Sequence, residues 1–73
     1  MNIILYRTLT CPKCKVLEAK LHQKGLSFTE CTDLNKMAQL GITEVPQLQV
    51  DGGELMNLST ANQWIKAQEA ANG

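Results

Sequence analysis

A chain of 73 residues is long enough for one small domain and too short for two. Its formal net charge is zero, so the charge balance gives no reason to expect nucleic acid or an anionic membrane as a partner. The three cysteines form an odd set, which argues against the disulfide framework of a secreted domain and favours thiol chemistry in a reducing compartment.

The first predicted element is a buried strand over residues 2–6, which is rich in β-branched and aromatic side chains and shows no polar alternation. A run this short, soon followed by Arg7, does not fit a secretory signal, and no apolar run approaches membrane-spanning length. We therefore expect a cytoplasmic protein without a membrane partner, whose first strand lies at the centre of a sheet.

A helix is predicted after a polar connection from Arg7 to Thr10. Thr10 or Cys11 supplies the cap, and Pro12 stands in the first turn, where its missing N–H costs nothing. Gly25 ends the helix. Apolar side chains recur at helical spacing along one face, at Cys14, Leu17 and Leu21.

A second strand is predicted over residues 26–31, with Phe28 facing the core. Strand, crossover helix and strand form a βαβ unit whose two strands lie parallel and adjacent. This arrangement puts Cys11 at the carboxyl edge of the sheet, where α/β proteins hold their functional sites. Cys31 is expected to be a small packed residue at the end of the second strand.

A short helix is predicted over residues 34–40. Asp33 caps its start and Gly41 ends it. We expect Leu34 and Met37 to turn towards the core.

A hairpin is predicted in the last third of the chain. Leu48 and Val50 alternate with polar residues in a third strand, Gln47–Val50. The sequence Asp51-Gly52-Gly53 is a strong turn signal, so residues 54–58 should return as an antiparallel fourth strand.

A final helix is predicted to begin at a cap supplied by Ser59 or Thr60 and to fray over residues 70–73. Its buried stripe is Ala61, Trp64 and Ile65, and Tyr6 fills the core with it. The sequence therefore predicts a single α/β domain over residues 1–73. Its four-stranded mixed sheet is flanked by three helices in the order β-α-β-α-β-β-α.

The segment Cys11-Pro12-Lys13-Cys14 carries the reactive chemistry. A helix N-terminus offers unpaired N–H groups and partial positive charge, which makes Cys11 more acidic than a free thiol. Cys14 lies one turn further on, close enough to attack a mixed disulfide on Cys11. The same spacing forms half of many zinc sites. However, the other candidate ligands, Cys31 and His22, form no second closely spaced pair, which favours dithiol chemistry.

This arrangement resembles the thioredoxin superfamily and, within it, the small glutaredoxin-like proteins. The resemblance covers nearly the whole chain: a strand, the Cys-Pro-Lys-Cys motif at a helix start, a strand, a short helix, Val45-Pro46 before a strand, a glycine-containing hairpin and a closing helix. It implies a thioredoxin-like fold of the glutaredoxin type.

The resemblance also implies a thiol–disulfide oxidoreductase in which Cys11 is the nucleophile and Cys14 the resolving cysteine. Pro46 matches the cis-proline of the family, which would lie against the Cys11 sulfur, while Val45 offers its backbone to an extended substrate. We expect no metal ligands. The residues expected to contact substrate are Arg7, Pro12, Lys13, Val45 and Pro46.

The expected partners are a disulfide-containing protein or small molecule and a reductant, and we expect a monomer with no bound cofactor. Arg7 and Lys13 are available to attract a carboxylate of glutathione. Glutaredoxins, however, commonly have a tyrosine at the place of Lys13, and Gly-Gly followed by Asp where this chain has Asn57-Leu58-Ser59. These departures favour a flavin-dependent reductase over glutathione as the reductant.

Two functions of other classes stay open. One is a metal or iron–sulfur carrier, in which Cys11 supplies a ligand at a dimer interface together with glutathione. The other is a binding module that docks a partner at the Val45-Pro46 edge without turnover. Glu44, beside this edge, is either a specificity charge or an ordinary loop residue.

Overall fold

Residues 2–68 are described by a computed structural model, and the predicted fraying of residues 70–73 lies outside them. Within these residues strands and helices alternate: β1 (Ile3–Tyr6), α1 (Pro12–Gln23), β2 (Thr29–Cys31), α2 (Leu34–Gln39), β3 (Gln47–Val50) and α3 (Leu58–Ala67). The strand order is β2-β1-β3, with β1 parallel to β2 and antiparallel to β3. The predicted α/β class, with a mixed sheet and a central first strand, is confirmed.

The core is built around β1, whose side chains are buried on both faces of the sheet. Leu5 and Tyr6 are at most 1% exposed although they point in opposite directions. Leu5 lies opposite Leu48 of β3, and the Tyr6 hydroxyl donates a hydrogen bond of 3.1 Å to the Gln49 side chain. Trp64 packs half-buried against this core. Within residues 2–68, no helix has the length and hydropathy needed to cross a membrane.

The predicted helix α1 is confirmed at both ends. Cys11 is its N-cap and Pro12 its first residue. At the other end Gly25 adopts a positive φ of 68°, and the Leu26 N–H bonds to the Leu21 carbonyl at 3.0 Å. This is the Schellman arrangement, which needs a residue tolerant of the left-handed region. The buried face consists of Cys14, Leu17 and Leu21, as predicted.

Strand β2 is shorter than predicted and covers Thr29–Cys31 rather than residues 26–31. The cause is local, because the Leu26 N–H closes the end of α1 and is not free to join a strand ladder. Leu26 and Phe28 nevertheless pack against the core. The Phe28 ring also meets the His22 ring edge-on, with centroids 5.2 Å apart.

Helix α2 begins and ends as predicted, but one side chain that was expected to face the core faces solvent. Asp33 caps it by accepting the Asn35 N–H at 3.0 Å, and Gly41 ends it with a φ of 76°. Met37 is buried, whereas Leu34 is 66% exposed and the prediction that it faces inward is wrong. The helix is less than two turns long and buries only Met37, so its first turn stays in solvent.

The predicted fourth strand over residues 54–58 is wrong. The chain does turn back at Asp51 and Gly52, which have φ values of 51° and 71°. It then meets β3 only at Met56, which exchanges hydrogen bonds of 2.9 and 2.8 Å with Leu48. Leu58, the last residue of the predicted strand, is instead the first residue of α3.

The cap of α3 also differs from the prediction, because it is Asn57 rather than Ser59 or Thr60. The Asn57 side-chain oxygen accepts the Thr60 N–H at 2.9 Å. Starting the helix at Leu58 keeps the predicted buried positions, since Ala61 and Ile65 are at most 2% exposed. It also brings Leu58 partly into the core.

We predict that Asn57→Ala lowers the free energy of unfolding by about 1 kcal/mol, because the Thr60 N–H loses its acceptor at the helix start. Ser59→Ala is the matched control, since Ser59 is exposed and caps nothing in the described structure; its change should stay within about 0.5 kcal/mol. Urea unfolding followed by far-ultraviolet circular dichroism measures both. Equal losses for the two variants would contradict the assignment of the cap.

Candidate active site

The two cysteines of the motif form a disulfide across the first turn of α1. Their Cα atoms are 5.2 Å apart, within the range that a disulfide requires. The backbone N–H of Cys14 donates to the Cys11 sulfur at 3.1 Å, so the sulfur itself caps the helix. Cys11 is 7% exposed and Cys14 is fully buried. Of the two cysteines, Cys11 is the one that reaches solvent.

The electrostatic surroundings of Cys11 favour negative charge on its sulfur. Helix α1 has no acidic residue in its first turn, so nothing there opposes the partial positive charge of the helix start. Lys13 and Lys15 are exposed on that turn. The Cys11 sulfur therefore lies at the positive end of the helix dipole, within hydrogen-bond distance of the Cys14 N–H.

A groove of about 250 Å³ adjoins the motif at Lys13. The predicted substrate residues Lys13, Val45 and Pro46 line it together. The Val45–Pro46 peptide bond is cis, as the resemblance implies, and Pro46 is buried. The remaining lining residues are Glu44, Asn57, Leu58 and Ser59. We call this the α3-side groove.

A second groove, of about 200 Å³, lies on the other side of the Glu44-Val45 segment, and we call it the α2-side groove. Leu34, Met37 and Ile42 give it an apolar lining. The exposed Leu34 thus lies at a candidate site rather than in the core. Glu44 and Val45 line both grooves, so this short segment separates them.

Arg7 is not brought to either groove, and it is engaged elsewhere. The residue is 9% exposed, and its guanidinium pairs with Glu18 of α1 and with Glu30 of β2, the latter at 3.4 Å. Its Nε donates to the Thr8 carbonyl at 3.2 Å, and its backbone N–H to the Cys31 carbonyl at 3.0 Å. Arg7 therefore joins β1, α1, β2 and the loop before Cys11.

The sequence reading missed this role of Arg7, although the predicted βαβ unit held the signal. An arginine directly after a central strand is flanked by the parallel strand and by the crossover helix, and each of these offers one carboxylate, Glu30 and Glu18. These carboxylates lie 11 and 23 residues from Arg7 in the sequence, so the local pattern does not indicate the pairing.

Pro12 and Cys31 have simpler positions. Pro12 is exposed at the first position of α1 and lines neither groove. Cys31 is a free, half-buried cysteine at the end of β2. A larger open groove of about 690 Å³ lies at the opposite end of α1, between His22 and Phe28, and contains no predicted site residue. Residues 2–68 hold no group of three side chains of metal-ligand type placed to share an ion.

No protein-family model, no curated protein and no solved structure matches this chain. The resemblance to the glutaredoxin-like proteins therefore rests on the residues of the chain itself and stays a prediction.

We predict that Arg7→Met lowers the free energy of unfolding by about 1–3 kcal/mol, because the variant leaves Glu18 and the Thr8 carbonyl without their donor. Lys15→Met removes the same charge from an exposed site on α1 that has no ion pair within the described residues. It should change stability by less than about 0.5 kcal/mol. Urea unfolding of both variants tests this. A loss in Arg7→Met no larger than that in Lys15→Met would show that the network does not stabilise the fold.

Proposed function

We propose that the chain is a thiol–disulfide oxidoreductase of the glutaredoxin-like type. The observation that carries the proposal is the capping of α1 by the Cys11 sulfur, with the Cys14 N–H bonded to it at 3.1 Å. This contact combines a slightly exposed cysteine, an N–H donor suited to stabilise its thiolate and a second cysteine one turn away. A structural cysteine pair needs neither the exposure nor the helix terminus.

In the proposed reaction the Cys11 thiolate attacks one sulfur of a substrate disulfide. A Cys11–substrate disulfide forms, and the other substrate sulfur leaves as a thiolate that takes up a proton. Cys14 then loses its proton and attacks the Cys11 sulfur, which expels the second substrate thiol. The protein ends with the Cys11–Cys14 disulfide seen in the structure, and two electrons have passed from the dithiol to the substrate.

A thioredoxin-like arrangement is the fold that we propose for this chemistry. It is supported by a central β1 that feeds directly into the helix of the motif, by the parallel β2 and by the antiparallel β3 that follows Pro46. The motif lies at the carboxyl end of β1, the usual place for a site in such sheets. The proposed role suits a monomer in the reducing cytoplasm, with no resident cofactor.

We predict that Cys11→Ser lowers the rate of disulfide reduction by at least about 100-fold, because the nucleophile is lost. Cys14→Ser should keep the first step but not the second, so that one equivalent of substrate thiol is released and a mixed disulfide accumulates on Cys11. Cys31→Ser, the control, should keep the wild-type rate within about twofold, since Cys31 is a free cysteine that lines neither the α3-side nor the α2-side groove.

The rates are measured with an aromatic disulfide whose released thiol absorbs visible light, and the adduct by mass spectrometry of the intact protein. Full activity of Cys11→Ser, or an adduct on Cys31, would overturn the proposal.

The reductant is expected to be a flavin-dependent reductase rather than glutathione. The pairing of Arg7 with Glu18 and Glu30 removes one of the two cations that the sequence offered to a glutathione carboxylate. Parallel assays coupled to thioredoxin reductase and to glutathione with glutathione reductase compare the two routes at equal protein concentration. We predict a rate at least about fivefold higher in the first assay, and a faster glutathione-coupled rate would contradict this.

A further inference from the structure

Two charges of opposite sign line the α3-side groove. Lys13 contributes a cation and Glu44 an anion, and both residues are exposed. Within residues 2–68 neither side chain forms a salt bridge, so the two charges do not neutralise each other. Both remain available to a molecule in the groove.

The backbone of Glu44 is hydrogen-bonded to the first residue of β3. Its carbonyl accepts a hydrogen bond from the Gln47 side chain at 3.3 Å, and the buried Pro46 follows two residues later. The residue lines both the α3-side and the α2-side groove. A substrate that extends past Val45 on either side therefore meets the field of this carboxylate.

The charges suit a polypeptide better than glutathione. Glutathione carries more carboxylates than amines and is anionic at neutral pH. The groove offers it one cation, Lys13, and opposes it with Glu44, while Arg7 is held by two carboxylates elsewhere. A polypeptide with a basic residue on one side of its cysteine and an acidic residue on the other satisfies both groove charges at once.

We propose that Lys13 and Glu44 are specificity residues. They select polypeptide disulfides by the order of the charged residues on either side of the reacting cysteine. The inference rests on the proposed dithiol function and assigns its substrate class. Attack by Cys11 and resolution by Cys14 are unchanged. The two charges alter only which disulfides are held long enough for Cys11 to attack.

Two isomeric peptides, Arg-Cys-Glu and Glu-Cys-Arg, both blocked at their ends, test this inference without any difference in net charge. Each is presented as a mixed disulfide with an aromatic thiol to the reduced protein, and each rate is divided by the rate with neutral dithiothreitol to remove intrinsic reactivity. We expect the wild type to react about three- to tenfold faster with one isomer than with the other. In the faster isomer each charged residue meets the groove charge of opposite sign, whereas in the slower isomer each meets the groove charge of like sign. The ratio should shrink at high salt.

Charge variants then assign the preference to the groove. Glu44→Lys should bring the ratio of the isomers close to one, and the double variant Lys13→Glu with Glu44→Lys should reverse it. Glu54→Lys is the matched control, because Glu54 is exposed, carries the same charge and lines neither groove. Glu44→Lys should also react faster with a mixed disulfide of glutathione. Circular dichroism of each variant verifies that it is folded.

The outcomes separate the inference from the function on which it rests. If the wild type reacts rapidly with both isomers at equal normalised rates, or if Glu54→Lys shifts the ratio as much as Glu44→Lys, charge reading is overturned and the dithiol function stands. If the reduced wild type reacts no faster than an unstructured cysteine peptide, the dithiol function itself fails and the inference with it.

Discussion

The hydrogen bond from the Cys14 N–H to the Cys11 sulfur fixes the geometry on which the candidate site depends. A helix start has N–H groups without intrahelical acceptors, and here a sulfur takes one of them. Cys11 is therefore both the N-cap of α1 and the cysteine located at the edge of the sheet. Because the helix sets the distance to the next turn, the 5.2 Å between the cysteine Cα atoms follows from the backbone and not from a mobile loop.

The distribution of charge around this helix start is decided by Arg7. Its guanidinium is largely buried and pairs with carboxylates of α1 and β2, which compensate its charge. The same residue anchors the loop before Cys11 through the Thr8 carbonyl. Arg7 lies outside the α3-side groove, and the charged residues that line this groove are Lys13 and Glu44.

The lost fourth strand and the shape of the site have one cause. Asn57 begins α3 earlier than the hairpin pattern predicts, which leaves Met56 as a single bridge to β3. The early start also brings the first turn of α3 into the groove with Lys13 and Val45. If residues 54–58 had formed a full strand, α3 would have begun later in the chain and other residues would have formed its first turn. The start of α3 at the Asn57 cap therefore sets one wall of the groove.

The sequence by itself determined the parts that depend on short-range physics: β1 from its unbroken apolar run, α1 from Pro12 to its end before Gly25, the cap at Asp33 and the cysteine pair one turn apart. Each follows from patterning, capping or a turn within a few residues. Only the tertiary structure decided where Arg7 finds its carboxylates, that Leu34 faces solvent and that Glu44 separates two grooves. The pairing of Arg7 and the placing of Glu44 depend on residues far apart in sequence, and the exposure of Leu34 depends on how the short helix α2 packs against the core; local propensity describes neither.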